Sequence, residues 1–104
     1  MTVKTTNKGE TTMTTTAREE NVINSRGNTV PNQFIIYGDS FTCFQSYRSV
    51  IVKIDLNNGK TYLDESTWDY SQTTGRYRNQ FLGETKKETE KKIASGQYIL
   101  AQLN

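Results

Sequence analysis

Val50-Ile51-Val52-Lys53-Ile54-Asp55-Leu56-Asn57-Asn58-Gly59-Lys60-Thr61-Tyr62-Leu63 reads as strand, turn, strand. Val50, Val52, Ile54 and Leu56 recur at every second position with Lys53 and Asp55 between them, which predicts a strand buried on one face. Asn57-Asn58-Gly59-Lys60 is a hairpin signal, because Asn-Gly accepts the positive φ of a type I′ turn. Thr61-Tyr62-Leu63 then returns as the antiparallel partner. A sheet is therefore the base of the fold.

The residues before this hairpin extend the sheet. Phe34-Ile35-Ile36-Tyr37 is an aromatic and β-branched run ended by the turn residues Gly38-Asp39-Ser40. From Phe41 to Tyr47 the pattern alternates, with Phe41, Cys43, Gln45 and Tyr47 on one face and Thr42, Phe44 and Ser46 on the other.

After the hairpin the period changes to that of a helix. Tyr70, Thr74, Tyr77 and Phe81 step by four, three and four, Ser71 or Thr73 can cap the start, and Gly83 sits where a helix stops. Residues 84–95 predict a second, polar helix anchored by Ile93 and closed by Gly96, with Lys86–Glu90 and Glu88–Lys92 as i,i+4 pairs. Tyr98-Ile99-Leu100-Ala101 supplies a last strand or a docked tail. The predicted fold is α+β: a small antiparallel sheet of four to five strands, in the order β-β-β-β-α-α-β, with two C-terminal helices.

The N-terminal part differs in composition. Residues 1–16 are rich in threonine (Thr5-Thr6, Thr11-Thr12, Thr14-Thr15-Thr16) and offer too little apolar surface to offset ordering entropy. Thr16-Ala17-Arg18-Glu19 reads as a capping box, so a short helix is expected over 17–25. This divides the chain into a flexible segment, 1–31, and a single small α+β domain, 32–104. On that division residues 1–30 are dispensable for folding. A competing expectation is that the threonine-rich stretch adds an edge strand, with Val3, Met13, Val22 and Ile23 buried.

Bulk properties exclude several functions. The 104 residues carry 13 Lys+Arg, 11 Asp+Glu and no histidine, for a net charge of +2. Neither the basic stripe of a committed duplex-DNA binder nor the strong acidity of a DNA mimic is present. One cysteine, Cys43, permits no intrachain disulfide, which suits a reducing cytoplasm. No run has the length of a membrane span or the form of a signal peptide, so the expected location is the cytoplasm, with no membrane partner. With an effective folding unit of some 70 residues the core is small, and self-association into a homo-oligomer would relieve that shortage.

Catalytic and metal motifs fail on inspection. Phe34 to Thr42 resembles the strand and Gly-Asp-Ser opening of GDSL-type esterases, yet a serine nucleophile needs an adjacent base and this chain has no histidine. Gly59-Lys60-Thr61 lacks the earlier glycine of a phosphate-binding loop, where Ile54 stands. Asp55 to Gly59 imitates part of a calcium loop but has Ser66 where the closing acid belongs. One cysteine and no histidine leave zinc and soft metals without their usual ligands. Asp64-Glu65 reads as a solvated strand end. No enzyme activity, metal or cofactor is expected.

What remains is a recognition-type segment, Trp68-Asp69-Tyr70-Ser71-Gln72-Thr73-Thr74-Gly75-Arg76-Tyr77-Arg78. Core packing accounts for Trp68 and Phe81. It does not account for Arg76 and Arg78 on either side of Tyr77, or for Tyr47-Arg48 at the end of a strand. Arginine forks bind carboxylate and phosphate bidentately, tyrosine rings supply stacking surface, and helix N-terminal amides favour anions. The expected binding residues are Tyr47, Arg48, Trp68, Tyr70, Thr73, Thr74, Arg76, Tyr77 and Arg78. Together these residues suit an anionic ligand such as a nucleotide, an RNA or DNA single strand, or a protein epitope, and their spacing does not separate the three.

Ser46, Tyr47, Ser49 and Ile51, followed by Tyr70, Ser71, Thr73, Thr74, Tyr77, Phe81 and Leu82, also form a recurring pattern. It resembles that of a group of small proteins of unknown function encoded by bacteriophages and other mobile elements, over residues 33–104. The resemblance implies a genomic setting rather than a mechanism. Together with the absence of catalytic groups, the small size and the recognition-type composition, that setting leads to the expectation of a non-enzymatic binding protein, able to act as an inhibitor, that engages a host protein or host-defence complex in the host cytoplasm.

Overall fold

The computed structural model describes the backbone of residues 2–6 and 14–104 and the side chains of residues 17–104. Its centre is a seven-stranded sheet whose spatial order follows the sequence. The strands are β1 (Thr2–Thr6), β2 (Thr14–Ile23), β3 (Thr29–Tyr37), β4 (Phe41–Ser46), β5 (Ser49–Asp55), β6 (Thr61–Asp64) and β7 (Tyr98–Ala101). Neighbours from β1 to β6 are antiparallel. Only β6 and β7 are parallel, and the crossover between them holds α1 (Gln72–Leu82) and α2 (Lys86–Ala94). The α+β class and the two helices match expectation, while the sheet is wider than the four to five strands predicted.

The extra width comes from the N-terminal segment. The helix expected over 17–25 is instead β2, paired with β3 through Arg18–Tyr37, Glu19–Ile36, Glu20–Ile35 and Asn21–Phe34. Tertiary pairing overrides the local capping signal, since Val22 reaches the core only from a strand and is 3% exposed there. Ile23, by contrast, is 50% exposed. The sheet thus reaches into the segment 1–31: Thr2–Thr6 and Thr14–Thr16 lie in strands, and β3 begins at Thr29. Disorder expected for residues 1 and 7–13 concerns positions outside the described residues, as does the burial of Val3 and Met13.

The hairpin that decides the fold departs from its pattern at one point. Phe44 pairs with Val52 and Gln45 with Val50, so Ile51 is an extra residue in β5. Such a bulge turns two successive side chains toward one face, and both Ile51 and Val52 are fully buried. The expected period-two face is therefore broken, and Leu56, expected inside, is 56% exposed. The following turn has Gly59 at φ +72 with no other positive φ, and the Gly59 and Asp55 N–H groups bond across it to Asp55 and Lys60. It is a four-residue loop closed by a left-handed glycine, not a type I′ turn.

Phe44, Ile51, Val52 and Leu63 are fully buried beneath the helices, each worth about 1.5–3 kcal/mol of transfer free energy. Phe81 stacks on Phe44 with ring centroids 5.9 Å apart, while Trp68, Tyr77, Leu82 and Ile93 complete the layer. Ser71 caps α1 by accepting from the Thr74 N–H, and Gly83 ends it in the left-handed conformation. Thr85 and Glu88 form a reciprocal capping box on α2. The expected i,i+4 pairs give way to tertiary ones: Lys86 bonds Asp69 at 2.7 Å and Lys92 bonds Glu84 at 2.6 Å. A lysine facing a carboxylate fixed on another element has a better-held partner than one on its own helix surface.

Candidate binding site

One end of the sheet collects three connections. The β2–β3 turn is shaped by Asn24, whose side-chain oxygen accepts from the Arg26 and Asn28 N–H groups at 2.9 and 3.0 Å. The β4–β5 turn is Tyr47-Arg48, between the paired Ser46 and Ser49. The third element is the first turn of α1. Three contacts bind this end together: the Ser46 and Thr74 hydroxyls lie 2.8 Å apart, the Tyr47 N–H donates to the carbonyl of Asn32 in β3 at 2.7 Å, and the Gln80 side-chain amide donates to the Ile23 carbonyl at the end of β2 at 2.7 Å.

Within this end the expected binding residues divide in two. Tyr47, Arg48, Tyr70, Thr73 and Arg76 are exposed. Thr74 is fully buried and spent on Ser46, and Trp68 and Tyr77 are packed against the core. Arg78 is the main correction. Its side chain is 1% exposed, with Nη1 donating to the Trp68 carbonyl at 2.5 Å and Nη2 to Asn79 at 2.9 Å. Its guanidinium also lies 5.2 Å from the Trp68 ring centroid and 3.5 Å from Asp69. The α1 backbone turns position 78 inward, four residues after the buried Thr74, so Arg78 fastens the 64–71 loop to the helix.

Arg76 points the other way. It borders a groove of about 510 Å³ together with Asp69, Tyr70, Gln72, Arg78 and Lys86. It also borders a second groove, of about 580 Å³, with Asn24, Arg26, Asn28 and Gln80. Among the described residues Arg26, Arg48 and Arg76 have no ion-pair partner. The first turn of α1 holds no acidic side chain, so the positive end of its dipole is not offset. In the first groove Asp69 is held below the ordinary carboxyl range: burial pushes it up, and the Lys86 and Arg78 cations outweigh that. The grooves therefore present uncompensated positive charge beside an exposed aromatic ring, Tyr70, which is 50% exposed.

Tyr47 adds a strained feature. Its φ is +55, a left-handed backbone that costs an L residue about 1–2 kcal/mol. The turn holds the ring outward, 52% exposed.

Arg26, Asn24, Asn28 and Gln80 were not among the residues expected from sequence. Assigning 17–25 to a helix hid the turn signal of Asn24-Ser25-Arg26-Gly27-Asn28, and Gln80 stands one turn of α1 beyond Arg76. Among the described residues no group of three or more metal-capable side chains occurs. Among the described residues no helix is long and apolar enough to cross a membrane.

The chain belongs to a family of unknown function (DUF8033), whose profile matches residues 1–97. The match begins at the first residue, so it takes in the N-terminal segment that the motif resemblance left out. No curated protein and no solved structure shows significant similarity to the chain.

Proposed function

We propose that the chain is a non-enzymatic binding protein of a phage or mobile element, which engages a host protein or host-defence complex through Arg26, Tyr47, Arg48, Tyr70 and Arg76. The observation that carries this reading is the set of three arginines without carboxylate partners around one end of the sheet. Arginine and tyrosine dominate the energetics of protein interfaces, because a planar fork and a rigid ring bury much surface at low entropic cost. Buried acids elsewhere in this chain have found partners, as Glu84 and Asp64 have, so free arginines at one end are not a general feature of the molecule. The phage or mobile-element setting rests on the motif of Ser46 to Ile51 and Tyr70 to Leu82. Capture from host lysate with the wild type and with Arg26→Ala/Arg76→Ala tests the reading. Loss of a specific partner in the double variant supports it, and identical captured sets contradict it.

A second reading is single-stranded nucleic acid or a nucleotide. The groove shared by Arg26 and Arg76 favours it, since Asn24, Asn28 and Gln80 add amide donors and acceptors along its walls. Phosphate neutralisation releases counterions, so binding would weaken steeply with salt. Fluorescence anisotropy of labelled single strands at two salt concentrations decides it, with absent or salt-insensitive binding counting against it.

A further inference from the structure

Arg26 stands on a turn that holds its own shape. Besides the two bonds accepted by the Asn24 side chain, the Asn24 N–H donates to the Asn28 carbonyl at 2.9 Å, and Gly27 takes φ +80. Arg76 follows Thr73 and precedes Gln80 along one face of α1. The bond from the Gln80 amide to the Ile23 carbonyl, 2.7 Å long, ties that face to the strand leading into the turn. Arg26 and Arg76 thus border one groove of about 580 Å³. A second hollow, of about 340 Å³ over Val30 and Thr73, shares Arg76 and Tyr77 with it. Among the described residues no carboxylate borders either of them. The groove on the other side of Arg76 differs, because there Asp69 already answers Lys86 at 2.7 Å and Arg78 at 3.5 Å.

We propose that this double hollow takes an acidic peptide segment of the partner protein, with two carboxylates gripped by Arg26 and Arg76. The inference rests on the protein-binding reading above and names the chemistry that its partner presents. A guanidinium fork matches the two oxygens of a carboxylate, and among the described residues neither fork is engaged by an acid of this chain. In an extended segment, side chains two positions apart fall on one side about 6.6 Å from each other. Acids at alternate positions therefore suit two arginines bordering one groove. The exposed Asn28 and Gln72 side chains add amide donors and acceptors for the peptide backbone. Because the turn and the helix are both held by bonds of their own, little ordering is left for the binding step to offset. A nucleic-acid single strand would also bring anions, but its affinity draws on bases stacked on exposed rings. The ring that borders both hollows, Tyr77, is half-buried and packed against the core. Carboxylates on a peptide are the better match.

Fluorescence anisotropy of the full chain with labelled probes tests this, with circular-dichroism melts to check that each variant folds. The probes are a Gly-Ser peptide carrying Glu at two alternate positions, the same peptide with Gln at both, and oligo-dT. The Glu peptide should bind the wild type with a Kd below about 1 mM, and the Gln peptide about tenfold or more weaker. Arg26→Ala and Arg76→Ala should each weaken the Glu peptide about tenfold. Lys87→Ala/Lys91→Ala, which removes two charges from exposed positions of α2, should leave it within about twofold. Absent binding of the Glu peptide, equal binding of the Glu and Gln peptides, or equal weakening by the lysine variant overturns the proposal. So does oligo-dT that binds more tightly than the Glu peptide and needs both arginines, which assigns the hollow to nucleic acid. The protein-binding reading fails separately. A lysate partner that needs Arg26 and Arg76 but is not displaced by excess Glu peptide keeps that reading and overturns this one. Arginine-dependent binding of the Glu peptide with no captured partner does the reverse.

Discussion

The hydroxyls of Ser46 and Thr74 lie 2.8 Å apart with both residues fully buried, and through them the end of β4 is bonded to the first turn of α1. This contact fastens the strand end that leads into Tyr47-Arg48 to the helix that carries Arg76. It also means that a polar pair, not an apolar one, aligns the two segments that carry the exposed arginines.

Removing one partner strands the other. Thr74→Val is expected to cost about 1–3 kcal/mol, since the Ser46 hydroxyl is left buried without a bond. Ser46→Ala/Thr74→Val should cost less than the sum of the two single changes. Urea denaturation of the four proteins measures the cycle, and additive costs would mean the hydroxyls do not interact.

The two arginines on either side of Tyr77 should behave oppositely. Arg78→Ala removes bonds to the Trp68 carbonyl and to Asn79 from a side chain that is 1% exposed, with an expected loss of about 2–4 kcal/mol. Arg76→Ala, at an exposed position, should stay within about 0.5 kcal/mol. Thermal melts separate them, and equal midpoints would contradict the inward placement of Arg78.

Acid should destabilise the fold through its partnered carboxyls. Burial alone would raise Glu84, but bonds from Lys92, Thr89 and Tyr98 hold it below its ordinary value. Burial likewise opposes, and is outweighed by, the Leu103 and Ser66 N–H groups and the Thr67 and Asn104 side chains on Asp64. A carboxyl with a depressed folded pKa favours folding while ionised, so its contribution is full above the ordinary range of about 4 and is lost as pH falls through the folded value. Chemical denaturation at pH 7 and pH 3 should show a smaller acid loss in Glu84→Gln than in wild type. Equal losses would exclude Glu84 as a contributor.

The strained turn yields a further expectation. Tyr47→Gly relieves a φ of +55, offset by the greater freedom of glycine in the unfolded chain. Stability should change by less than about 1 kcal/mol, while partner capture falls because an exposed ring is lost. A large destabilisation would mean that the ring is needed for packing.

The N-terminal truncation now carries the opposite expectation from the sequence. Val22 and Val30 are 3% and 8% exposed within the core, so the fragment 31–104 should melt well below the full chain. An unchanged midpoint would mean that β2 contributes nothing to the folded state.

Local patterns located the middle and end of the chain well: the Phe34–Tyr37 and Phe41–Ser46 strands, the Asn-Gly turn, the Ser71 cap and the Gly83 stop are all short-range signals. They missed what long-range pairing decides. β2 has a helix-like start and becomes a strand because β3 lies beside it. The bulge at Ile51 depends on the register with β4, which no single strand encodes. Among site residues, Arg76 was legible as a surface arginine. Arg78 was not distinguishable from it, since its inward turn is fixed by Trp68 and Asn79.

The most direct test of the proposed function compares captured partners for wild type, Arg26→Ala/Arg76→Ala, and a Lys87→Ala/Lys91→Ala control. The control removes the same charge from exposed positions of α2, away from the two grooves. The arginine variant should lose a partner that wild type and control both retain. Retention of that partner by all three, or its loss from both variants alike, would contradict a binding site built on Arg26 and Arg76.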